Sequence, residues 1–531
     1  MGNKEAAESD RGAKGAPLPD HATGSGRGAK NASLLDHASG SGRGAKNAPL
    51  LDHASGLNIG AKTFIGTVVL LLAIMVLAGV LTQVLPQGHY DYAEADGRRL
   101  IVPGTYTESA EGARLPVWRW FTAPVEVLGT DKAVTAVMVM AFILLIGGSF
   151  LVLEQSGILS YMIHAVIRRF GGGKYRLMAV IAFICMLLGS TMGLFEEVVT
   201  LVPITVALAM MLGWDSLVGI GMSILSVGFG FAAGTLNPFT LGVAQKLAEL
   251  PAFSGLPLRV VFFLVTYGIL ITFLTLYAKR IEKNPQSSMM FEADAARRER
   301  YRKELADADE ADAGKKKALV VFGGALIGVL AYVVTGFFIT GLSDLALPVM
   351  AVLFTAGAIA AGWLAGLRKG LLKVFMKGVG SIAPSVLLIL LAMSVTHIME
   401  TGGIIDTLLH FFYGYMDKLG PYVGALAILA LVLVLEFFVS GASAKAFLLL
   451  PILIPLADLI GLTRQTVVQA FSLGDGFTNM LYPTNVVLLL VLGMMGVPYG
   501  KWFRWTWKLQ AVLLAASVAC LLVAVAVGYG V

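Results

Sequence analysis

Two stretches of this chain, 154–257 and 400–498, repeat one another, and both are apolar enough to lie in a lipid bilayer. Glu154, Gly157 and His164 recur as Glu400, Gly403 and His410, each 246 residues on. Glu197, Pro203 and Gly213 recur as Lys445, Pro451 and Gly461, each 248 residues on. Gly228-Phe229-Gly230 recurs as Gly474-Asp475-Gly476, and Pro238 as Pro483. An offset this steady over about a hundred residues marks an internal duplication. Apolar modules interrupted by Gly and Pro, and present twice, are the form in which many secondary transporters build a site near mid-membrane.

Composition agrees with a membrane setting. Of 531 residues, 57% are hydrophobic and 14% charged, against roughly a quarter charged in soluble domains. Apolar runs of 18 or more residues recur, long enough to cross a hydrocarbon core about 30 Å thick. The net charge of +6 is no nucleic-acid signal, because the basic residues cluster beside apolar spans, as the positive-inside bias requires. Cys185 and Cys520 lie in apolar runs and read as small buried hydrophobes. The chain carries no phosphate-binding GK[ST] loop, no HExxH and no CxxC. No cofactor or metal is therefore expected, and uphill work must come from an ion gradient or from exchange. A membrane-embedded enzyme would need a nucleophile–base pair at one depth, and no convincing set is present.

Residues 1–60 are expected to form a disordered tail. Three copies of a 16-residue Gly/Ala/Ser/Asn-rich repeat occupy 9–56 and place His21, His37 and His53 each after an Asp. Such a composition buries too little apolar surface to offset ordering entropy. There is no signal peptide, since the first apolar run starts near Thr63.

The first transmembrane half spans 61–279. Spans are expected at about 63–85, 133–154 and 258–279, with a polar, acidic segment at 86–130. A re-entrant hairpin is expected at 177–213 and a discontinuous helix at 215–250. Residues 280–316, charged in both signs, read as a cytoplasmic loop between halves. The second half, 317–531, is expected to hold spans at about 317–341, 345–367, 379–400 and 509–530. A second hairpin is expected at 423–460 and a second discontinuous helix at 463–500, with Trp502, Trp505 and Trp507 as interfacial anchors. Arg168, Arg169, Lys174 and Arg176 mark the cytoplasmic side before the first hairpin. The second hairpin follows Asp406, Asp417 and Lys418 and should open outward. The two copies are thus antiparallel, and the N-terminus is cytoplasmic.

Non-helical backbone at membrane depth is tolerated only where protein buries it or it lines a cavity. Four such breaks are expected. Two are hairpin tips, Gly193-Leu-Phe-Glu-Glu197 and Ser440-Gly-Ala-Ser-Ala-Lys445. Two are helix breaks, Gly234-Thr-Leu-Asn-Pro238, where Pro238 removes a donor, and Gly474 through Asn485. Facing copies would bring all four together. Backbone at Gly193, Gly234, Gly441 and Gly476 could then coordinate Na⁺, and half-helix N-termini could face an anionic group. Glu196, Glu197, Glu436 and Asp475 lie in or beside apolar runs, against Lys445 alone. A carboxylate at the centre of a span costs roughly 2.5–3.5 kcal/mol, so these are candidates for substrate or ion contact. An ion pair between the symmetry mates Glu197 and Lys445 is the structural alternative, and for Glu436 a buried hydrogen-bonded carboxyl is an equal one. Thr235, Asn237, Asn479, Thr484 and Asn485 sit at the breaks, where capping freed backbone and contacting a ligand are both open. Ser440 and Ser443 can close a turn or bind a carboxylate. Glu154 and Glu400 read as solvated helix ends, and His164 and His410 as interfacial. The acidic surplus favours a substrate with a positive group, or protons as coupling ion.

The segments FEEVVTLVPITVALAMMLGWD, GTLNPF, SGASAKAFLLLPILIPLADLIGLTRQ and GDGFTNMLYPTN resemble the YfcC family, also described as basic amino acid antiporters or C4-dicarboxylate anaerobic carriers, within the ion transporter superfamily. The resemblance covers about 60–530. It implies an all-α polytopic fold with a scaffold domain and a transport domain bearing two hairpins, working as an elevator-like homodimer in the bacterial inner membrane. The serines of the second tip, Ser440 and Ser443, match the superfamily's serine-containing tip. The first tip departs from it, with Glu196-Glu197 in place of a Ser-Asn-Thr type signature, and two carboxylates would repel a dianion. The expectation is a secondary transporter of a small charged metabolite, an amino acid of arginine or ornithine type, by antiport or H⁺/Na⁺ coupling. A dicarboxylate carrier is the alternative.

Overall fold

In lipid, a helix satisfies every backbone N–H and C=O within one span, so long apolar runs become helices. The computed structural model describes residues 61–530 except 96–97, 103, 110–113, 131–132, 163–164, 166–172, 252–253, 307–312, 339–344, 417–418 and 440. The tail 1–60 with its three histidines, His164, Arg168, Arg169, Asp417, Lys418 and Ser440 fall outside the described residues.

Among the described residues seven helices are long and apolar enough to cross a membrane. They are Phe64–Val84, Ala136–Gln155, Lys174–Met192, Leu256–Lys283, Leu371–Thr401, Pro421–Phe438 and Tyr499–Ala526. Ala313–Phe338 and Ala346–Leu364 are further apolar helices. Ala133–Gln155, Ala313–Phe338, Ala346–Leu364 and Leu371–Ile382 pack on one another. A separate set of contacts joins Lys174–Met192, Leu256–Lys283, Pro421–Phe438, Ala442–Leu459, Tyr499–Ala526 and the two broken helices. Cys185 and Cys520 are free and buried.

Several expectations need correction. The fold is not purely helical, because Gly88–His89 pairs antiparallel with Thr107–Glu108, and Tyr92–Ala95 with Arg98–Ile101. Strands of two to four residues are too short for alternation to stand out in a polar segment. They are anchored on helix Ile404–Met416, where Asp406 accepts the Tyr90 amide at 3.1 Å and the Tyr92 hydroxyl at 2.7 Å. The candidate span Leu371–Thr401 covers the expected 379–400 but begins earlier and is interrupted at Pro384, between Leu371–Ile382 and Ser385–Thr401. The last helix starts at Tyr499, not 509, and Trp502 and Trp505 are buried, leaving Trp507 exposed. The indole of Trp502 donates to the Met480 carbonyl at 2.7 Å, which holds it inward.

The charged segment between halves is also more than a loop. It carries helix Ala295–Ala306 and ties three elements together. Asp294 accepts the Ser216 amide at 2.9 Å, Arg297 donates to the Met495 carbonyl at 2.5 Å, and Arg300 pairs with Glu154 at 2.7 Å. Glu154 is 3% exposed, so it is no solvated helix end. Nothing in its local sequence announces that Arg300, far along the chain, covers it.

The repeated glycines form matching corners. Gly157 and Gly403 have φ of 71° and 65°, and Gly213 and Gly461 of 90° and 72°. These left-handed values close helix C-termini and favour residues without a Cβ. The amides of Gly157 and Gly403 bond the carbonyls of Glu154 and Glu400, the same offset back in each copy.

The first broken helix runs Ser216–Ile220, Gly221–Leu225 (π), Ser226–Ala232, then resumes at Pro238–Gly242 and Val243–Leu247. The second runs Arg464–Gly476, a 3₁₀ turn Phe477–Met480, then Val486–Met494. The charged segment with Asp294 and Arg297 holds the start of the first at Ser216 and the end of the second at Met495. At the other extremity Gln245 and Gln465 both donate to the Ser254 carbonyl, at 2.9 and 2.7 Å. The two broken helices therefore run in opposite directions. Segment 174–214 returns to the end it starts from, because Tyr175 and Trp214 lie with ring centroids 5.7 Å apart and both donate to Glu282.

Candidate functional site

The two broken helices cross at their breaks. A Cβ on Gly476 would collide with the Ala232 backbone, and one on Gly234 would lie 3.7 Å from the Ser472 hydroxyl. At Gly476 only glycine allows backbones this close. The end of helix Lys174–Met192 and the turn after it, expected as the first hairpin tip, meet the first break. Ser190 donates to the Ala233 carbonyl at 2.8 Å and bonds the Thr235 hydroxyl at 3.0 Å, while the Thr235 amide donates to the Ser190 carbonyl at 2.9 Å. Gly193, at φ 69°, abuts the Asn237 side chain. Asn237 is fully buried, and its carbonyl oxygen accepts the Thr240 amide at 3.3 Å. It thereby caps the segment that Pro238 begins.

The second tip meets the second break through charge. Helix Pro421–Phe438 ends, the chain extends through Val439 and Gly441, and helix Ala442–Leu459 begins. Lys445 folds back across this break. It is fully buried and ion-paired to Glu436 and, at 2.6 Å, to Asp475. Both carboxylates are buried as well. The alternative pair of Glu197 with Lys445 does not form. Glu197 stays in its own loop, half-buried, where its carboxylate accepts the Phe195 amide at 2.9 Å. Glu196 beside it is exposed. The reason is geometric: Lys445 reaches Glu436 across a short extended link, and Asp475 presents itself from the crossing helix.

The remaining break residues cap backbone. Asn485 accepts the Leu488 amide at 3.0 Å and donates to Asn479 at 2.6 Å, and Asn479 donates to the Asp475 carbonyl at 2.7 Å. Thr484 is buried, and its hydroxyl has no hydrogen-bond partner among the described residues. Carbonyls expected to be free for a cation are partly taken. Gln510, Trp502 and Tyr499 of the last helix donate to those of Phe477, Met480 and Leu481, at 3.2, 2.7 and 2.7 Å. Gly193, Gly234 and Gly476 are linked by the contacts above, whereas no described contact brings Gly441 to them. Ser443 lies in helix Ala442–Leu459. His410 is exposed and stacks on Tyr106 at 3.9 Å, away from the crossing.

Contacts therefore run unbroken from tip to break, across the crossing and on to the second tip. Sequence reasoning left Glu436 open between ligand contact and a buried structural carboxyl, and did not pair it with Lys445. The signal was present, as a lone carboxylate in an apolar run nine residues before the lone lysine. Ser190 and Ser472 gave none, being ordinary helix serines.

Residues 64–526 match the C4-dicarboxylate anaerobic carrier family. The chain belongs to that family. It is 28% identical over 511 residues to the Escherichia coli K12 protein described as "putative basic amino acid antiporter YfcC", covering 87% of this chain and 96% of that one. A Haemophilus influenzae protein of no stated function is 28% identical over 400 residues, covering 74% and 77%. Among solved structures, the Alcanivorax borkumensis YdaH transporter aligns with a TM-score of 0.40 at 19% identity, covering 88% of this chain and 98% of its own. Neisseria gonorrhoeae MtrF aligns with a TM-score of 0.40 at 16% identity, covering 86% and 94%. The chain is thus a multi-pass membrane member of a transporter family.

Proposed function

We infer that the chain is a secondary-active transporter for a small metabolite with a positive group, an amino acid of the arginine or ornithine type, working by antiport or with H⁺ or Na⁺ coupling. The observation that carries this is the charge at the crossing. Lys445, the one cation among the described break residues, is held between Glu436 and Asp475. The first tip adds Glu196 and Glu197 with no described ion pair. A dianion would meet surplus negative charge there, whereas a cationic side chain or a proton would be attracted. The similarity to a protein described as a basic amino acid antiporter supports the same reading. The second reading, a C4-dicarboxylate carrier, has the family's description in its favour, and the start of helix Ala442–Leu459 offers backbone donors for a carboxylate.

The antiparallel crossing and matched corners support an inverted repeat, and the return of 174–214 supports a re-entrant hairpin. The two packing sets correspond to a scaffold and a transport domain, in a homodimer of the bacterial inner membrane with its N-terminus in the cytoplasm. Uptake into proteoliposomes, comparing labelled arginine with labelled succinate under an imposed Na⁺ or pH gradient or with internal counter-substrate, tests the reading. Arginine exchange without succinate uptake is expected. Succinate uptake without arginine exchange refutes the amino-acid assignment and selects the carboxylate one.

A further inference from the structure

Buried polar atoms ordinarily find partners, because an unpartnered one carries its full desolvation cost. Arg259 departs from this. It sits near the start of helix Leu256–Lys283 and is 1% exposed, and none of its three guanidinium nitrogens has a hydrogen-bond partner among the described residues. The groups beside it are neutral, the Tyr529 hydroxyl, which interacts with the guanidinium without well-formed hydrogen-bond geometry, and the Cys520 thiol, so no anion answers the charge. Tyr529 directs its proton to the Gly255 carbonyl. A guanidinium does not lose its proton inside a protein, so the charge stays and must be met. The N-terminus of a 28-residue helix adds positive partial charge at the same place. Further unpartnered buried atoms continue inward along the three surrounding helices, Thr266 two turns past Arg259, Ser517 one turn before Cys520, and Gln469 one turn beyond Gln465.

We propose that this cluster binds a small carboxylate, seated on Arg259 between helices Leu256–Lys283, Arg464–Gly476 and Tyr499–Ala526. A planar carboxylate is the anion that a guanidinium fork holds with two parallel bonds. The site is separate from the crossing, since Gln465 and Asp475 lie about 15 Å apart along their common helix. It does not depend on which substrate the crossing takes.

The test uses the purified full-length protein in detergent, titrated with acetate against chloride at constant ionic strength while thermal unfolding is followed. Acetate is expected to raise the midpoint saturably and chloride to leave it unmoved. Arg259→Gln removes the acetate shift. Arg259→Lys retains it with a half-saturation roughly tenfold higher, because one charge-assisted bond is lost. A wild-type midpoint blind to acetate overturns the proposal, as does chloride acting equally or Arg259→Gln keeping the full shift. If Arg259→Gln does not fold, the wild-type and Arg259→Lys titrations decide.

Discussion

Replacing Lys445 by Met should be among the most damaging single changes in the chain, and the damage should be largely reversible by two further changes. Lys445 lies 2.6 Å from Asp475 and also contacts Glu436, all three buried. At an effective dielectric near 20, one such pair attracts by about 6 kcal/mol. Desolvation of several kcal/mol per ion cancels most of this, so the intact cluster contributes little net stability. Removing only the lysine leaves two buried carboxylates facing each other, at a cost of about 3–5 kcal/mol. The triple variant Lys445→Met, Glu436→Gln, Asp475→Asn removes the whole set of charges and should return to within about 2 kcal/mol of wild type. Thermal unfolding in detergent at neutral pH measures both. Lowering the pH should partly rescue the single variant, because protonation neutralises the stranded carboxylates, and should not improve the triple one. A single variant as stable as wild type, or a triple variant as unstable as the single, refutes the account of Lys445 as a buried counter-charge.

Three other outcomes are expected. Glu197→Gln keeps an acceptor for the Phe195 amide and should abolish transport in proteoliposomes while leaving the unfolding midpoint in place; unchanged kinetics would make Glu197 peripheral. Gly476→Ala forces a methyl into Ala232 and should destabilise by about 1–3 kcal/mol, whereas Gly414→Ala, with open space around it, should be neutral by the same assay. Outside the spans, the Arg119 guanidinium pulls the Glu126 carboxyl down to about 2. A lowered pKa stabilises above the ordinary carboxylate range, and the contribution is lost as pH falls towards about 2. Arg119→Gln should therefore flatten the acid side of the stability profile, and an unaltered profile would count against the pair.

Much of the fold was legible in the sequence because lipid removes alternatives. An apolar run of sufficient length has one backbone solution there, so the spans beginning near 63, 133 and 258 fall where hydropathy puts them. Backbone chemistry made the breaks legible too. Gly234 to Pro238 cannot continue a helix, and Gly157, Gly213, Gly403 and Gly461 occupy left-handed corners that favour glycine. The matched glycines from which a duplication was read, Gly157 with Gly403 and Gly213 with Gly461, take up matching corners. What the chain alone did not decide is which side chains meet. Lys445 had four candidate carboxylates in apolar surroundings, and only the crossing of Arg464–Gly476 over the second tip selects Asp475 with Glu436 and leaves Glu197 to its own loop. Glu154 looked solvated until Arg300 covered it, and Trp502 looked interfacial until a break carbonyl drew it inward. Periodicity and hydropathy are local properties, summed along a few turns. Pairing of buried charges and of freed carbonyls depends on residues tens to hundreds of positions apart, so only the packed helices determine it.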